Sequence, residues 1–348
     1  MGQTAKRVAL GTLIVIAIVA AALALWKVKL VIALVFLGLI LAAAMRPGIE
    51  GLRRRGVPRV AALLLHYAVL FGLIGLFLWI VVPRAIDQVQ NAIGSREEIH
   101  QQATHSTGLK HDVLTAIDRR LRDLPSAREL FHPALEITIK AFEILVGIFF
   151  VFATAAYWTF ERDRAVDFVA SLIPRARRKK MRDTWDLIDL KLGAFVRGQA
   201  LLIVLVGTVL SIAFWAIGLP YFILIGAFAG LVEIIPVIGP LAAGALAVAV
   251  GFTESWHLGL AAGICVLVVR LLEDYLILPR VLGDAVGLSP LLVLISVTSV
   301  GILFGGFAII LAVPLVAVLV TVIDVVVRQK EPTEEDVPTV LFAAKEAD

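Results

Sequence analysis

From position 8 to position 26 the chain carries no ionisable side chain. Four further blocks, residues 60–82, 142–160, 201–217 and 258–269, are nearly or wholly uncharged. The first two of these five approach the ~20 residues a helix needs to cross ~30 Å of hydrocarbon. The apolar residues come as continuous blocks, not at the spacing of two or 3.6 that marks a half-buried strand or a surface helix. Composition agrees, with 60% hydrophobic and 17% charged residues and a mean hydropathy of +0.96 over 348 residues. Soluble domains hold about 45–50% apolar and about 25% charged residues. The expected fold is an all-α polytopic membrane protein with about six to eight transmembrane helices.

Lys6 and Arg7 precede the first block, and "ALA" at 22–24 resembles a signal-peptidase site. The apolar run nevertheless exceeds the ~7–15 residues of a signal h-region, so a retained first span is expected. The single cysteine, Cys265, lies in an apolar block and reads as a small core residue.

Loop charge sets the orientation. Arg46, Arg53, Arg54, Arg55 and Arg59 face a single Glu50 in one loop, and Arg175, Arg177, Arg178, Lys179, Lys180 and Arg182 crowd another. Excess Lys and Arg in short loops marks the cytoplasmic side, so both loops and the N-terminus are expected there. Lys27 and Lys29 argue the other way but are outnumbered. The basic loops could also attract anionic lipid headgroups. Residues 83–134 then lie outside. Within them Val113, Leu114, Ile117, Leu121 and Leu124 share one helical face, the pattern of an amphipathic segment on the membrane surface. His100, His105, His111 and His132 are too loosely spaced for a metal site.

The chain divides on these grounds into three spans (1–82), an external amphipathic helical segment (83–138), a fourth span (139–160), a basic cytoplasmic helical segment (161–195), a core of two helix-plus-hairpin units (196–327) and a polar cytoplasmic tail (328–348) expected to be disordered.

The core carries the informative stretch, "GLVEIIPVIGPLAAG" at 230–244. Pro236 and Pro240 each remove a backbone donor, and the residues before them, Ile235 and Gly239, are pushed away from helical geometry. A helix break is expected between about Ile235 and Pro240. The flanking pieces, 221–234 and 241–252, are then about 21 Å and 18 Å long, each too short to span. A re-entrant hairpin with its tip near mid-membrane fits. Irregular backbone at that depth survives only when buried in protein or lining a watery cavity, which puts Glu233 beside a pathway.

The pattern recurs. A helix over 258–278 carries Arg270, Glu273 and Asp274; an apolar piece from Pro290 to Phe304, the pair Gly305–Gly306, and a second piece containing Pro314 follow. Interrupted segments at corresponding places in two halves point to a transporter's binding site. The last piece, 307–327, is also long enough to span fully, and both arrangements stay open.

"IPVIGP" (235–240), "LLEDYLILPRVLG" with Glu273, Pro279 and Gly283, "LSPLLVLISV", "LFGGFAIILAVPL" and "RGQALLIVLVG" resemble the autoinducer-2 exporter family of bacterial membrane proteins. The resemblance is strongest over 197–327. Val237 departs from the family pattern, in which many members carry Tyr. What the resemblance implies is a secondary transporter or exporter in the bacterial inner membrane that assembles as a homo-oligomer, a pentamer. Some members are credited with sodium/proton antiport.

The residues bear on three classes of function. A secondary transporter would place ion coupling at Glu233 with Arg270, Glu273 and Asp274, along a pathway shaped by Pro236, Gly239 and Pro240; a cation/proton antiporter would use the same carboxylates. The chain carries no G-x-x-x-x-G-K-[ST] nucleotide loop. A membrane enzyme is not expected, because His66 stands alone in its span and Ser211, Ser296 and Ser299 have no histidine nearby in sequence. A non-transporting structural membrane protein leaves the two broken hairpins unexplained. A small solute or ion and membrane lipids are the expected partners, with no cofactor, metal or nucleic acid.

Overall fold

The structure, a computed structural model, describes residues 2–94, 131–277, 289–335 and 337. Among them the chain is helical, with no strand. In chain order the helices are α1 (Gly2–Lys27), α2 (Lys29–Arg54), α3 (Arg59–Gly94), α4 (Phe131–Ser171), α5 (Arg178–Ala216), α6 (Phe222–Val232), α7 (Ile238–Glu254), α8 (Trp256–Leu272), α9 (Pro290–Phe304) and α10 (Ala312–Val326). A π turn, Glu273–Ile277, continues α8, and a 3₁₀ turn, Gly306–Leu311, joins α9 to α10. Among the described residues, six helical segments are long and apolar enough to cross a membrane.

Lengths follow from what interrupts each helix. α3 passes through Pro83 and α4 runs unbroken to Ser171, so the helices continue past positions 82 and 160, where the hydropathy changes. The amphipathic stretch at 113–124 and His100, His105 and His111 lie outside the described residues. Leu172–Pro174 form a turn before α5, which then runs 39 residues, well beyond what a bilayer needs. After α10 the chain reverses at Gln329, whose φ of 58° is left-handed, and residues 330–335 pack back against α5. Pro332 is buried there, and residues 336 and 338–348 of the expected tail lie outside the described residues.

α5 is the organising element. It packs most extensively on α6 and also contacts α2, α4, α8 and α10. Small residues allow the α5–α6 approach: a Cβ on Gly230 would sit 2.5 Å from the Ile203 carbonyl oxygen. Van der Waals packing between close backbones is the main attraction available to helices in lipid. Around that contact Val206, Leu210, Phe214, Ile225, Ala229, Ala243, Ala247 and Ala262 form the main core, with α7 and α8 antiparallel. A second core joins α2, α3 and α4 through Met45, Ile49, Leu63 and Ala155, and the Tyr67 hydroxyl donates to the Phe152 carbonyl at 2.6 Å.

At the basic end of this bundle an ion-pair network ties α2, α4 and α5. Arg162 donates to Asp189 at 2.7 Å and also pairs with Asp186, while Arg46 reaches Glu50 at 2.8 Å and Asp189 at 3.4 Å. Asp189 and Arg162 are largely buried, so each satisfies a charge that would otherwise be costly there.

Candidate functional site

α6 is eleven residues and α7 seventeen, about 16 Å and 25 Å at ~1.5 Å per residue. Between them the chain changes direction over Glu233–Val237. Val237 sits at φ 69°, ψ −54°, and the Ile238 N–H bonds the Pro236 carbonyl at 2.8 Å. This is a γ-turn of the rare, strained hand, and a β-branched residue is an outlier in it. Gly239 follows because a Cβ there would run into the Val232 carbonyl oxygen. The start of α7 is thus pressed against the end of α6, and only glycine fits the contact.

The break falls earlier than the two prolines suggest. Pro236 lies in the turn, but Pro240 is the third residue of α7, where the backbone N–H has no helical partner to lose. Pro314 occupies the same place in α10. Neither interrupts its helix. The second interruption is made by Gly305, which ends α9 at φ 91° with nothing within 4 Å of a Cβ. There the conformation, not crowding, calls for glycine. Gly306 opens the 3₁₀ turn, and Pro290 starts α9 behind the Ser289 cap, whose hydroxyl accepts from the Leu292 N–H at 3.3 Å.

The charged residues converge on the first break. Arg270, near the end of α8, donates through Nη1 to Glu233 at 3.4 Å and to Glu273 at 3.2 Å, and through Nη2 approaches Asp274 at 2.9 Å. Glu233 is 5% exposed and Glu273 3%. Asp274 is exposed. One guanidinium therefore serves three carboxylates, two of them removed from solvent. The π turn begins at Glu273, and such turns inside helices recur at functional sites.

Two further contacts complete the site. Gln199 of α5, 8% exposed, donates through Nε2 to the Glu233 backbone carbonyl at 2.9 Å. That carbonyl belongs to the broken stretch and lacks a helical donor. A glutamine inside "RGQALL" in an otherwise apolar helix was the available signal. Ile235, at the turn, packs against Val297, Val300, Ala308 and Ala312, so the first break touches the second hairpin. Gly305, Gly306 and Pro314 do not join the charged cluster by any hydrogen bond or ion pair among the described residues. The far end of that hairpin instead meets α1, with the Phe304 and Trp26 rings 5.8 Å apart and Lys29 Nζ 4.3 Å from the Trp26 ring. Pro279, Arg280 and Gly283 lie outside the described residues.

Among the described residues no group of three His, Cys, Asp or Glu side chains could hold a metal ion. The geometry offers instead a compact, mostly buried acid–base cluster at a helix break, packed beside the membrane-length α5. This is the construction of a multi-pass membrane transporter.

Comparison with known proteins agrees. The chain is similar to two Bacillus subtilis (strain 168) proteins named as candidates for transport. With YrrI it is 27% identical over 83% of this chain and 86% of the relative, and with YueF 28% identical over 77% of each. A Mycobacterium tuberculosis relative with the same kind of name, MT0215, is 26% identical over 87% and 85%. Residues 13–328 match the profile of the AI-2E family transporters, and the chain belongs to that family.

Proposed function

We propose that the protein is a secondary transporter, an exporter of a small solute, working by alternating access in the bacterial inner membrane with ion coupling at Glu233. The observation that carries the reading is the single Arg270 guanidinium shared by Glu233, Glu273 and Asp274 at the α6–α7 break. Two buried carboxylates beside a third cannot all stay ionised cheaply around one cation, so the cluster is suited to take up a proton or a cation. The γ-turn at Val237 and the glycine at 239 hold Glu233 where the chain is no longer helical.

The orientation that supports this reading comes from the basic loops. Gln199 lies ~25 Å along α5 from Ala216, and Arg270 ~21 Å along α8 from Trp256. With the basic loops at 46–59 and 175–182 in the cytoplasm, both distances run inward from the outer surface. The cluster then sits within a ~30 Å hydrocarbon layer. The first hairpin, α6–α7, re-enters from outside, and the N- and C-termini are cytoplasmic. The second, α9–α10, rises from inside to the α1–α2 turn at Trp26. Residues 196–327 form the transport core, and the assembly is a homo-oligomer.

The surplus of carboxylates over arginine favours a second reading, cation/proton antiport through the same cluster. Flux in proteoliposomes under imposed proton or sodium gradients, over a panel of small solutes, separates the two. Glu233→Gln copies the protonated carboxyl in shape and is expected to abolish the pH dependence of flux while the protein still folds. A well-folded Glu233→Gln variant with the wild-type pH profile would remove Glu233 from the coupling.

A further inference from the structure

The segment after α10 is held down by charge. Lys191 on α5 is 5% exposed, and its Nζ donates to Glu335 at 2.8 Å and to the Thr321 hydroxyl of α10 at 3.3 Å. The Thr321 hydroxyl in turn donates to the Ala317 carbonyl at 2.8 Å. Nearer the start of α5, Lys180 pairs with Glu331 at 3.0 Å. Asp324 gathers Arg328 at 2.9 Å and Lys330 at 2.7 Å, and the left-handed Gln329 turns the chain toward α5. A buried ammonium is tolerable only while a carboxylate faces it. For Lys191 that carboxylate comes from outside the bundle, from a segment whose Glu331 and Glu335 side chains are 57% and 33% exposed.

Lys191 is eight residues from Gln199 on the same helix, about 12 Å toward the basic end. Next to it Ile40, Ala43, Leu192 and Leu311 close an apolar layer where α2, α5 and the turn before α10 meet. We propose that residues 328–335 are a charge-latched strap that shuts the cytoplasmic side of the pathway by pinning α10 to α5. When Glu335 leaves, Lys191 must take water, and hydration between α5 and α10 opens the route toward the Arg270 cluster. The strap rests on the transporter reading for its purpose but not for its test.

The test places a reporter thiol at Ala317, 3% exposed and one turn above Thr321, in a Cys265→Ser chain. A membrane-impermeant maleimide is applied to inside-out vesicles. With the strap intact the thiol should react slowly. Glu331→Gln with Glu335→Gln should speed labelling at least tenfold, while a control thiol at Ala247, buried in the α7–α8 core, stays unreactive. A second arm replaces Lys180 and Glu331 by cysteine and joins them with a short reducible crosslinker. Crosslinking should suppress labelling of the Ala317 thiol, and reduction should restore it. Labelling that does not change in the Gln variant, or that rises equally at Ala317 and Ala247, would overturn the strap. Labelling needs no transported solute, so it can succeed or fail whatever becomes of Glu233.

Discussion

Gln199 and Glu233 are joined by one hydrogen bond, side-chain amide to backbone carbonyl, across the α5–α6 interface at 2.9 Å. The bond fixes the first non-helical residue of the break to the longest-reaching helix of the core. Gln199→Leu keeps the volume and leaves that carbonyl bare. It is expected to cost about 1–3 kcal/mol, read as a lower melting temperature of the purified protein. A Leu variant as stable as the parent would mean the bond holds nothing.

Arg270 should matter more than any one of its partners. Arg270→Met leaves Glu233 and Glu273 buried without their cation, an expected loss of about 3 kcal/mol. Water reaches the Arg270 side chain, 30% exposed, which keeps the loss at the low end for a buried pair. Adding Glu233→Gln and Glu273→Gln to that variant removes the stranded charges and should recover most of the melting temperature. If the triple variant is no better than Arg270→Met, packing and not charge explains the loss.

The turn can be probed by two glycine exchanges, with a third in the second hairpin for comparison. Val237→Gly relieves a left-handed φ and is expected to raise stability by about 1 kcal/mol. Gly239→Ala drives a methyl into the Val232 carbonyl and should sharply lower the yield of folded protein. Gly306→Ala, with open space at its Cβ, should be near neutral. Equal behaviour of the last two in a thermal-shift and yield comparison would contradict the tight α6–α7 contact.

Orientation is open to thiol labelling in a Cys265→Ser chain. A cysteine at Ser255, between α7 and α8, should react with an impermeant reagent added outside whole cells. One at Lys179, beside the start of α5, should react only after permeabilisation. The reverse pattern would invert the topology.

The break at the first hairpin was legible because two prolines and a carboxylate cannot sit quietly in an apolar helix. Arg270, Glu273 and Asp274 were legible because charges within an apolar run have few places to go but to one another. The prolines, however, mislead about where the helix ends. Pro240 and Pro314 look like breakers and turn out to be first-turn residues, since that rule depends on where a helix begins. Val237 could not be read at all. Nothing in its side chain favours a left-handed φ, and its conformation is imposed by Gly239 packing on Val232. Gln199 and Ile235 owe their roles to contacts across 34 residues and to a second hairpin, which hydropathy along the chain does not encode.

No residue of Leu10–Lys27 is buried by the rest of the chain, and α1 touches the bundle at its end, beside α2 and where the Trp26 ring lies against Phe304. Within one subunit, then, almost any apolar side chain should serve along most of that helix, because its neighbours are interchangeable acyl chains. At Gly226, Gly230 and Gly239 even one methyl has no room. Mutational tolerance should therefore fall steeply along the sequence from a permissive first span to an unforgiving centre, with Trp26 an isolated point of constraint.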